Sequence, residues 1–398
     1  MTAGRTLRRY YVYSFLNGLK FTWTTWLAYV LAHNGNPGWA EAAFHFSILA
    51  GEVPTGVAAD LFGRRTSIVV GLGLYTVTCA SFLLVHDTLS ACLLLGLSGL
   101  AGTFLSGADT ALLYEAAEEA GGPELARKAL ARASALQLLG LSIAPAVAGF
   151  LYHRDDRLPF LAAAVVGALT LPVVWGMAER RPDAAPVHMG MWQQARAGAG
   201  VVLKSRAALA LMLFGWGYNT VGAMAGQFGQ VYFPYTGLTM AATGIVFSAA
   251  RLSSTGASAA AERLERRAAE GCLRFLPLFL CLAYLAMGVG GGWSGALLFV
   301  LGSALEGIID PVLQFEINRA IPSAQRATVL SLLSAGFSGM MTVTFPAASY
   351  LRPVTRIYLV TGALGSMLAG IWAFRWRPGS GTGADRREPL PAREVSGP

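Results

Sequence analysis

The chain has 398 residues, of which 54% are hydrophobic and only 13% are charged, and its formal net charge is +8. Soluble domains carry about 25% charged residues, so this composition excludes an ordinary soluble domain and indicates a membrane protein. The positive charge therefore does not indicate nucleic-acid binding, because membrane proteins concentrate Lys and Arg in their inner loops.

Apolar runs recur along the whole chain, each long enough to cross a hydrocarbon core of about 30 Å. Backbone polar groups in lipid must be satisfied within their own segment, so these runs are predicted to be helices. The first run follows the basic stretch Arg5–Tyr13 and contains Asn17 and Lys20, so we interpret it as a retained span rather than a cleaved signal peptide. The predicted spans, numbered 1 to 12, are about 10–33, 41–60, 67–86, 89–113, 132–152, 158–178, 207–233, 239–261, 273–291, 293–316, 328–350 and 354–376.

The basic residues indicate how these spans are oriented. When both termini are placed in the cytoplasm, most Lys and Arg residues fall on the inner side. The exceptions are Arg154, Arg157, Arg352 and Arg356 in the outer loops, and Lys20 and Arg251 inside spans. The sequence therefore predicts a multi-pass protein of a bacterial inner membrane with short outer loops.

The longest internal loop divides the chain into two sets of six spans, residues 1–178 and 207–377. The loop itself, 179–206, is predicted to be cytoplasmic and to carry an amphipathic surface helix at Trp192–Lys204. The tail, 378–398, is rich in Gly, Pro, Arg and Glu and is predicted to be disordered. The expected fold class is an all-α membrane protein with two pseudo-symmetric six-helix bundles.

Two short motifs of the first half are repeated about half a chain later. Asp60-Leu-Phe-Gly63-Arg64-Arg65 is followed by Glu262-Arg-Leu-Glu265-Arg266-Arg267, and Asp109-Thr-Ala-Leu-Leu-Tyr114-Glu115 by Asp310-Pro-Val-Leu-Gln-Phe315-Glu316. Two repeats with nearly the same spacing favour a duplicated membrane unit. Many secondary transporters are built from such halves, which meet at a central polar site.

The loop between spans 2 and 3 carries the most specific motif. Its glycines permit close helix approach and a tight turn, and its charged residues can cap a helix or pair with acids and lipid phosphate. The sequence Gly56-Val-Ala-Ala-Asp60-Leu-Phe-Gly63-Arg64-Arg65 resembles the signature loop of the major facilitator superfamily. The resemblance implies twelve spans and a cytoplasmic gate that latches the two halves in the outward-facing state, formed by Gly56, Asp60, Gly63, Arg64 and Arg65.

Weaker marks point to a bacterial drug:proton antiporter-like subgroup. Gly140-Leu-Ser-Ile-Ala144-Pro145-Ala-Val-Ala148-Gly149 in span 5 resembles a degenerate form of its Gly-Pro-Gly-Gly element, although plain helix packing explains a small-residue face equally well. Ser106–Glu115 and Ile321–Leu330 also resemble bacterial facilitators. Many proton antiporters carry an arginine in the middle of span 4, and none occurs here between Leu89 and Thr110.

Ionisable groups inside spans are costly and are usually functional. By depth, Lys20 could meet Glu52 in the first half, and Arg251 could meet Glu306 in the second, with Asp310 one turn from Glu306 on the same helix face. Each pair is either a structural bridge or part of proton coupling, and we favour Glu52 or Glu306 as the proton carrier. Asp109 is expected to be a gate partner of Arg65.

Aromatic and amide side chains on spans 1 and 7 suit an amphipathic organic substrate, although single residues of this kind also serve in aromatic belts and helix packing. The candidates are Asn17, Trp23, Tyr218 and Asn219. The cysteines, Cys79, Cys92, Cys272 and Cys281, lie in apolar runs without the spacing of metal ligands, so neither a metal nor another cofactor is expected.

These features predict a monomeric secondary transporter with alternating access that exports a small organic compound, such as a drug or natural product, driven by a proton gradient. Its expected partners are the substrate, protons and the lipid bilayer, with no nucleic acid. An importer of a small nutrient or metabolite is the alternative within this class, and a non-transporting membrane receptor is the alternative from another class. No nucleophile motif or phosphate-binding loop indicates an enzyme.

Overall fold

The computed structural model describes residues 2–179, 200, 202, 205–261, 263–321 and 326–376. No strand occurs in these ranges, so the predicted all-helical class is confirmed. The helices of the first half, residues 2–179, are α1 (Thr2–Gly18), α2 (Trp26–Ala32), α3 (Pro37–Phe62), α4 (Arg64–Ser81), α5 (Thr88–Leu105), α6 (Ala108–Arg154) and α7 (Leu158–Trp175). Those of the second half, residues 205–376, are α8 (Arg206–Tyr235), α9 (Met240–Ala261), α10 (Arg266–Val289), α11 (Gly292–Ala320), α12 (Arg326–Ser349) and α13 (Thr355–Arg375).

Eight helices of the described part of the chain are long and apolar enough to cross a membrane. They are Arg64–Leu84, Thr88–Arg154, Leu158–Trp175, Arg206–Tyr235, Arg267–Val289, Gly292–Ala320, Val329–Ser349 and Thr355–Arg375. The stretch Thr88–Arg154 is counted once although it bends twice. The bends lie at Gly107, with φ +76°, and at Gly121–Gly122, where Gly122 has φ +78°.

Local sequence explains where several helices begin. Asn36 precedes Pro37 and its side-chain oxygen accepts a hydrogen bond from the backbone N–H of Gly38, which starts α3. Asp87 and Ser90 form a reciprocal capping box at the start of α5. These hydrogen bonds, from the Ser90 hydroxyl first and its backbone N–H second, hold the pKa of Asp87 below its ordinary value.

Span 1 is interrupted rather than continuous. A short 3₁₀ segment, Phe21–Thr24, separates α1 from α2. Gln230 of α8, which is fully buried, satisfies backbone groups at this break. Its Oε1 accepts from the N–H of Leu27 at 2.9 Å, and its Nε2 donates to the carbonyl of Trp23 at 3.1 Å.

Most helix contacts lie within one half or the other. In the first half α3 packs on α5, α1 on α6, and α4 on α7; in the second, α10 packs on α13 and α9 on α11. Between the halves α6 packs on α9, α3 on α12, and α2 on α8. The end of the helices that carries residues 33–36, 236–239 and 350–354 is called the outer end below. The cytoplasmic helix predicted at Trp192–Lys204, apart from Gly200 and Val202, lies outside the described residues, as do Glu262, 322–325 and the tail.

Candidate functional site

The second half contains a cavity of about 250 Å³ between α8, α9 and α11. Its lining combines charged, amide and aromatic side chains: Tyr218, Asn219, Phe247, Arg251, Phe299, Glu306 and Asp310. Five of these, Tyr218, Asn219, Arg251, Glu306 and Asp310, were predicted site residues. Such a mixture binds small organic molecules through apolar contact and a few orienting polar groups.

Glu306 is the central acid of this cavity. The Tyr284 hydroxyl donates a hydrogen bond of 2.6 Å to its Oε1. Gly222 of α8 lies opposite, where an added Cβ would be 2.6 Å from the same oxygen, so glycine leaves room for the carboxylate. Arg251 lines the same cavity and attracts Glu306 electrostatically without forming a direct ion pair. The structure therefore brings Arg251, Glu306 and Asp310 together in one cavity, as the sequence predicted.

Tyr218 stands beside Asp310 in the same cavity. Its side chain is 4% exposed, and its buried hydroxyl makes no close hydrogen bond but interacts with the Asp310 carboxylate. Asp310 is one turn from Glu306 and is exposed to the cavity. A buried hydroxyl without a close hydrogen bond, lying beside two acids, is a group to which a bound polar ligand or water can hydrogen-bond.

In the first half, the predicted site residues Lys20, Asn17 and Asp109 form a line of contacts that was not predicted. Lys20 Nζ donates to Asn17 Oδ1 at 2.8 Å and lies 4.4 Å from the centre of the Tyr75 ring. Asn17 Nδ2 reaches the Tyr13 hydroxyl at 3.4 Å, and that hydroxyl reaches Asp109 Oδ2 at 3.4 Å. This line of contacts connects the break in span 1 with the start of α6.

The expected contact between Lys20 and Glu52 does not occur in this structure. Lys20 precedes the 3₁₀ segment, with φ −84° and ψ 69°, so the interrupted helix directs it to Asn17 and Tyr75. Glu52 lies half-buried on α3. Trp23, also predicted for the site, has an exposed side chain and contributes its carbonyl to Gln230.

The loop between α3 and α4 forms contacts within the first half. Gly63 has φ +97°, a conformation that favours glycine, and an added Cβ would meet Glu179 Oε2 at 2.8 Å. Arg64 pairs with Glu115 through its guanidinium and donates its backbone N–H to Glu179. Gly56 has open space where a Cβ would be, and Asp60 is half-buried at the end of α3.

Asp109 and Arg65, the predicted gate partners, have different partners in this structure. Arg65 donates to the carbonyl of Met177 at 3.1 Å and stacks over Trp175. Asp109 instead accepts from Tyr13 and from the backbone of Thr110. Gly107 turns the chain just before Asp109, and this turn places the carboxylate against α1 rather than against the loop.

Sequence reasoning missed an acid and a base near the outer end of α3. Glu41 and His45 are 4% and 7% exposed, and Glu41 Oε1 lies 3.5 Å from His45 Nε2. Gln227 Nε2 of α8 reaches Glu41 Oε1 at 3.4 Å, and Ser338 Oγ of α12 is 3.4 Å from His45 Nδ1. Their spacing of four residues inside an apolar run was the available signal, because ionisable residues in spans are usually functional.

The sequence model of the Major Facilitator Superfamily matches residues 12–346. The chain belongs to the major facilitator superfamily. This confirms the family predicted from the loop around Asp60 and Arg64, and membership makes the chain a membrane transporter rather than an enzyme. The comparisons do not specify the drug:proton antiporter subgroup.

Solved facilitator structures share the fold at low sequence identity. The nucleoside transporter NupG has a TM-score of 0.81 and 13% identity, covering 94% of this chain and 100% of its own. The xylose transporter XylE from E. coli, in an inward-open conformation, has a TM-score of 0.71 and 13% identity, covering 95% and 98%. A bacterial homologue of the human lysosomal transporter Spinster, inward-facing and unoccupied, gives 0.71 and 12%, covering 95% and 99%. No curated protein sequence matches the chain.

The described part of the chain contains no candidate metal-binding site. Groups of three or more His, Cys, Asp or Glu side chains that could hold an ion are absent from this part. The four cysteines are free, and Cys79 and Cys281 are buried, consistent with their assignment to helix packing.

Proposed function

We propose that the chain crosses the membrane twelve times, as two six-helix bundles with both termini in the cytoplasm. The bundles correspond to residues 1–178 and 207–377. Spans 2, 3 and 6 correspond to α3, α4 and α7, while the stretch Thr88–Arg154 supplies spans 4 and 5, bent at Gly121–Gly122. The dense contacts within each half and the fewer contacts between them support this division.

The proposed orientation makes this an inward-facing state, closed to the outside. The contacts between halves that support it lie towards the outer end. Gly149 packs on Gly244, Ser349 Oγ donates to Asn36 Oδ1 at 3.0 Å, and Trp39 Nε1 donates to the Tyr350 hydroxyl at 3.0 Å. Arg64 at the opposite end pairs with Glu115 of its own half.

The proposed activity is proton-coupled export of a small organic compound. The observation that carries the coupling is Glu306, a carboxylate held by Tyr284 inside a cavity that also contains Arg251 and Asp310. A proton on Glu306 removes its attraction to Arg251, so protonation and the charge balance of the cavity are linked. Phe247 and Phe299 supply apolar area for an amphipathic substrate, and Asn219 supplies hydrogen bonds.

Uptake of a small polar nutrient together with protons is the second candidate. Structural similarity to the nucleoside transporter NupG and to a D-xylose–proton symporter, with a TM-score of 0.67 and 14% identity, favours it. Both candidates use the same cavity and the same acid. They differ in whether substrate moves with the proton or against it.

Reconstituted protein in liposomes with an imposed pH gradient tests the coupling. Ethidium, uridine and D-xylose serve as probes for a drug, a nucleoside and a sugar, and an internal pH dye follows proton movement. Glu306→Gln should abolish gradient-driven accumulation of the transported probe while exchange without a gradient persists. Ser303→Ala is the matched control, because Ser303 lines the same cavity and does not titrate.

Accumulation that survives both Glu306→Gln and Glu52→Gln would refute proton coupling through these acids. The direction of proton flow when substrate is added separates the two candidates. Outward substrate movement against an inward proton flow supports export, and joint inward movement supports the symporter.

A further inference from the structure

We propose that Lys20 and Asn17 form an anion-binding subsite in the first half, and that the transported compound carries a carboxylate which this subsite binds. The proposal rests on the proposed transport function and narrows its substrate from a small organic compound to an amphipathic carboxylate. Lys20 belongs to the interrupted span 1, and the coupling assigned to Glu306 makes no use of it.

Lys20 is an intramembrane cation without a carboxylate partner. Its Nζ donates to Asn17 Oδ1 at 2.8 Å and lies 4.4 Å from the centre of the Tyr75 ring, and no carboxylate of the described residues lies within 4 Å of it. Asp109 is linked to it through Tyr13 and Asn17 rather than directly. An unpaired charge inside a membrane protein is costly, so a bound anion stabilises Lys20.

The ammonium group has donors left for such an anion. A lysine side chain carries three N–H donors and no acceptor, and Asn17 accepts from one of them. The Tyr75 ring lies against another side of the ammonium, and its hydroxyl contacts Thr22 Oγ1 at 3.3 Å. Lys20 and Asn17 are both partly exposed, so a carboxylate can approach without displacing either neighbour.

The subsite and the cavity of the second half lie at similar depth. The carbonyl of Trp23 accepts from Gln230 Nε2 at 3.1 Å, which joins spans 1 and 7. Lys20 is three residues farther from the outer end than Trp23, or about 6 Å in the 3₁₀ segment. Gly226 and Gly222, which line the cavity, are about 6–12 Å farther from the outer end than Gln230. In the inward-facing state proposed above, both sites open to the space between the halves.

Spans 1 and 7 carry different groups at matching positions. Asn17 is followed three residues later by Lys20, and Asn219 is followed three residues later by Gly222. Gly222 leaves room for the Glu306 carboxylate, since an added Cβ would be 2.6 Å from its Oε1. Where the second half receives a carboxylate, the first half therefore presents an ammonium group.

The first half has no acid of its own at this position of the repeat. Glu306 precedes Asp310 by four residues, and the residue that precedes Asp109 by four is Leu105. The first copy thus has a cation in place of the glycine and a leucine in place of the glutamate. A carboxylate brought by the substrate supplies the missing acid, at the meeting point of two repeated halves where secondary transporters bind their substrates.

The second half supplies apolar area for the rest of the substrate. Phe247 and Phe299 line its cavity of about 250 Å³. A compound with a carboxylate at one end and an aromatic body at the other satisfies Lys20 and packs against these rings. Arg251, the cation of the cavity, is attracted to Glu306, which leaves Lys20 as the cation for the substrate.

Equilibrium binding of three probes with one common body tests the charge preference. The probes are 4-phenylbutyrate, 4-phenylbutanol and 4-phenylbutylamine, which carry an anionic, a neutral and a cationic group. Calorimetric titration into protein in lipid nanodiscs at pH 7, with empty nanodiscs as the blank, gives each Kd without a gradient. Wild type should bind 4-phenylbutyrate about 10- to 150-fold more tightly than 4-phenylbutanol, the range for a hydrogen bond to a charged group, and should not prefer the amine.

Substitutions at the subsite should change this preference in defined ways. Lys20→Met removes the ammonium at similar length, so the Kd of 4-phenylbutyrate should rise to that of 4-phenylbutanol while the Kd of the alcohol stays the same. Lys20→Arg should keep the preference. Asn17→Asp places a permanent carboxylate against Lys20 Nζ, so it should abolish the preference with the lysine still present. Asn17→Asp thus gives the same test if Lys20→Met does not fold.

Two controls separate the subsite from charge elsewhere in the protein. Lys128→Met is the matched control, because Lys128 is exposed and pairs with Glu124 on α6, so all three Kd values should remain unchanged. Arg251→Met tests the cation of the second half and should keep the preference. The inference is overturned if wild type binds the carboxylate no more tightly than the alcohol, or if Arg251→Met abolishes the preference while Lys20→Met and Asn17→Asp retain it.

Failure of the proposed transport function gives a different result. If 4-phenylbutyrate binds with this dependence on Lys20 but a pH gradient drives no accumulation of it in liposomes, the subsite stands and the coupling assigned to Glu306 fails. If a gradient drives accumulation of ethidium, uridine or D-xylose and the protein shows no preference for the carboxylate, the Lys20 subsite fails alone.

Discussion

Gly244 of α9 is where a single methyl group should change the conformational balance most directly. It packs against Gly149 of α6, and an added Cβ would overlap the carbonyl oxygen of Pro145 and lie 2.9 Å from the Gly149 Cα. Non-bonded carbon atoms prefer about 3.5–4.0 Å, so Gly244→Ala forces the two helices apart at this crossing. Because the neighbouring atoms are backbone, no side-chain rotation relieves the overlap.

The cost falls on the state in which the outer side is closed. Overpacking of one methyl group in a close contact costs about 1–3 kcal/mol. Under the proposed alternating access, the open state is expected not to make this contact, and the change in helix propensity is common to both states. Gly244→Ala should therefore shift the equilibrium towards the open outer side by about 5- to 150-fold.

The assay is the distance between spin labels at Leu84 and Val289, exposed positions near the outer end of the two halves, in a protein whose four native cysteines are replaced. Gly256→Ala on the same helix is the matched control, because an added Cβ there has no heavy atom within 4 Å. The control should leave the distances unchanged. If Gly244→Ala also leaves them unchanged in a correctly folded protein, then the close crossing of α6 and α9 does not hold the outer side closed.

Further predictions concern the cavity, the inner loop and a helix start. Gly222→Ala should narrow the cavity at the Glu306 carboxylate and reduce the affinity for the transported probe, measured as a raised KM. Glu115→Gln should lower thermal stability by at most about 1 kcal/mol at low salt and by less at high salt, because its partly exposed pair with Arg64 is screened. Asp87→Ala should lower the melting temperature and Asp87→Asn should do so less, since asparagine also caps helices. The pKa of Asp87 is lowered in the folded protein. The stability that its ionisation contributes is therefore present above its unfolded pKa of about 3.9 and is lost as the pH falls through its folded pKa. If the deficit in melting temperature of Asp87→Ala does not shrink in acid, this reasoning is contradicted.

Local features of the sequence predicted much of the fold and half of the site. Gly63 was predicted to turn the chain, and it has a positive φ at the junction of α3 and α4. Glu306 and Asp310 share a helix face because they are four residues apart, a spacing that the sequence displays directly. The signal for the site was polar residues inside long apolar runs. In the second half the helices are continuous, so the depth of a residue in the membrane predicted which side chains lie close together.

The site residues that were missed or wrongly paired depend on long-range contacts and on the break in span 1. Depth along an ideal helix placed Lys20 near Glu52, but α1 ends at Gly18, two residues before Lys20, so the estimate failed. Glu41 contacts a residue 186 positions away and His45 one that is 293 positions away, and no local pattern contains that information. Asp109 faces Tyr13 because α6 packs on α1 within the first half, and this contact joins residues that are 96 positions apart.

The interruption of span 1 has a consequence for how easily the outer side can part. Its unpaired N–H and C=O groups are satisfied by Gln230 from the other half, and on separation the same groups can pass to water. A hydrogen bond traded for one to solvent changes the free energy by only about 0.5–1.5 kcal/mol. Exchanging both bonds thus changes the free energy by about 1–3 kcal/mol, which is comparable to what one proton crossing 100 mV supplies, about 2.3 kcal/mol. An unbroken helix would pair these backbone groups within itself, and Gln230 would then have no free N–H or C=O group to bind across the two halves.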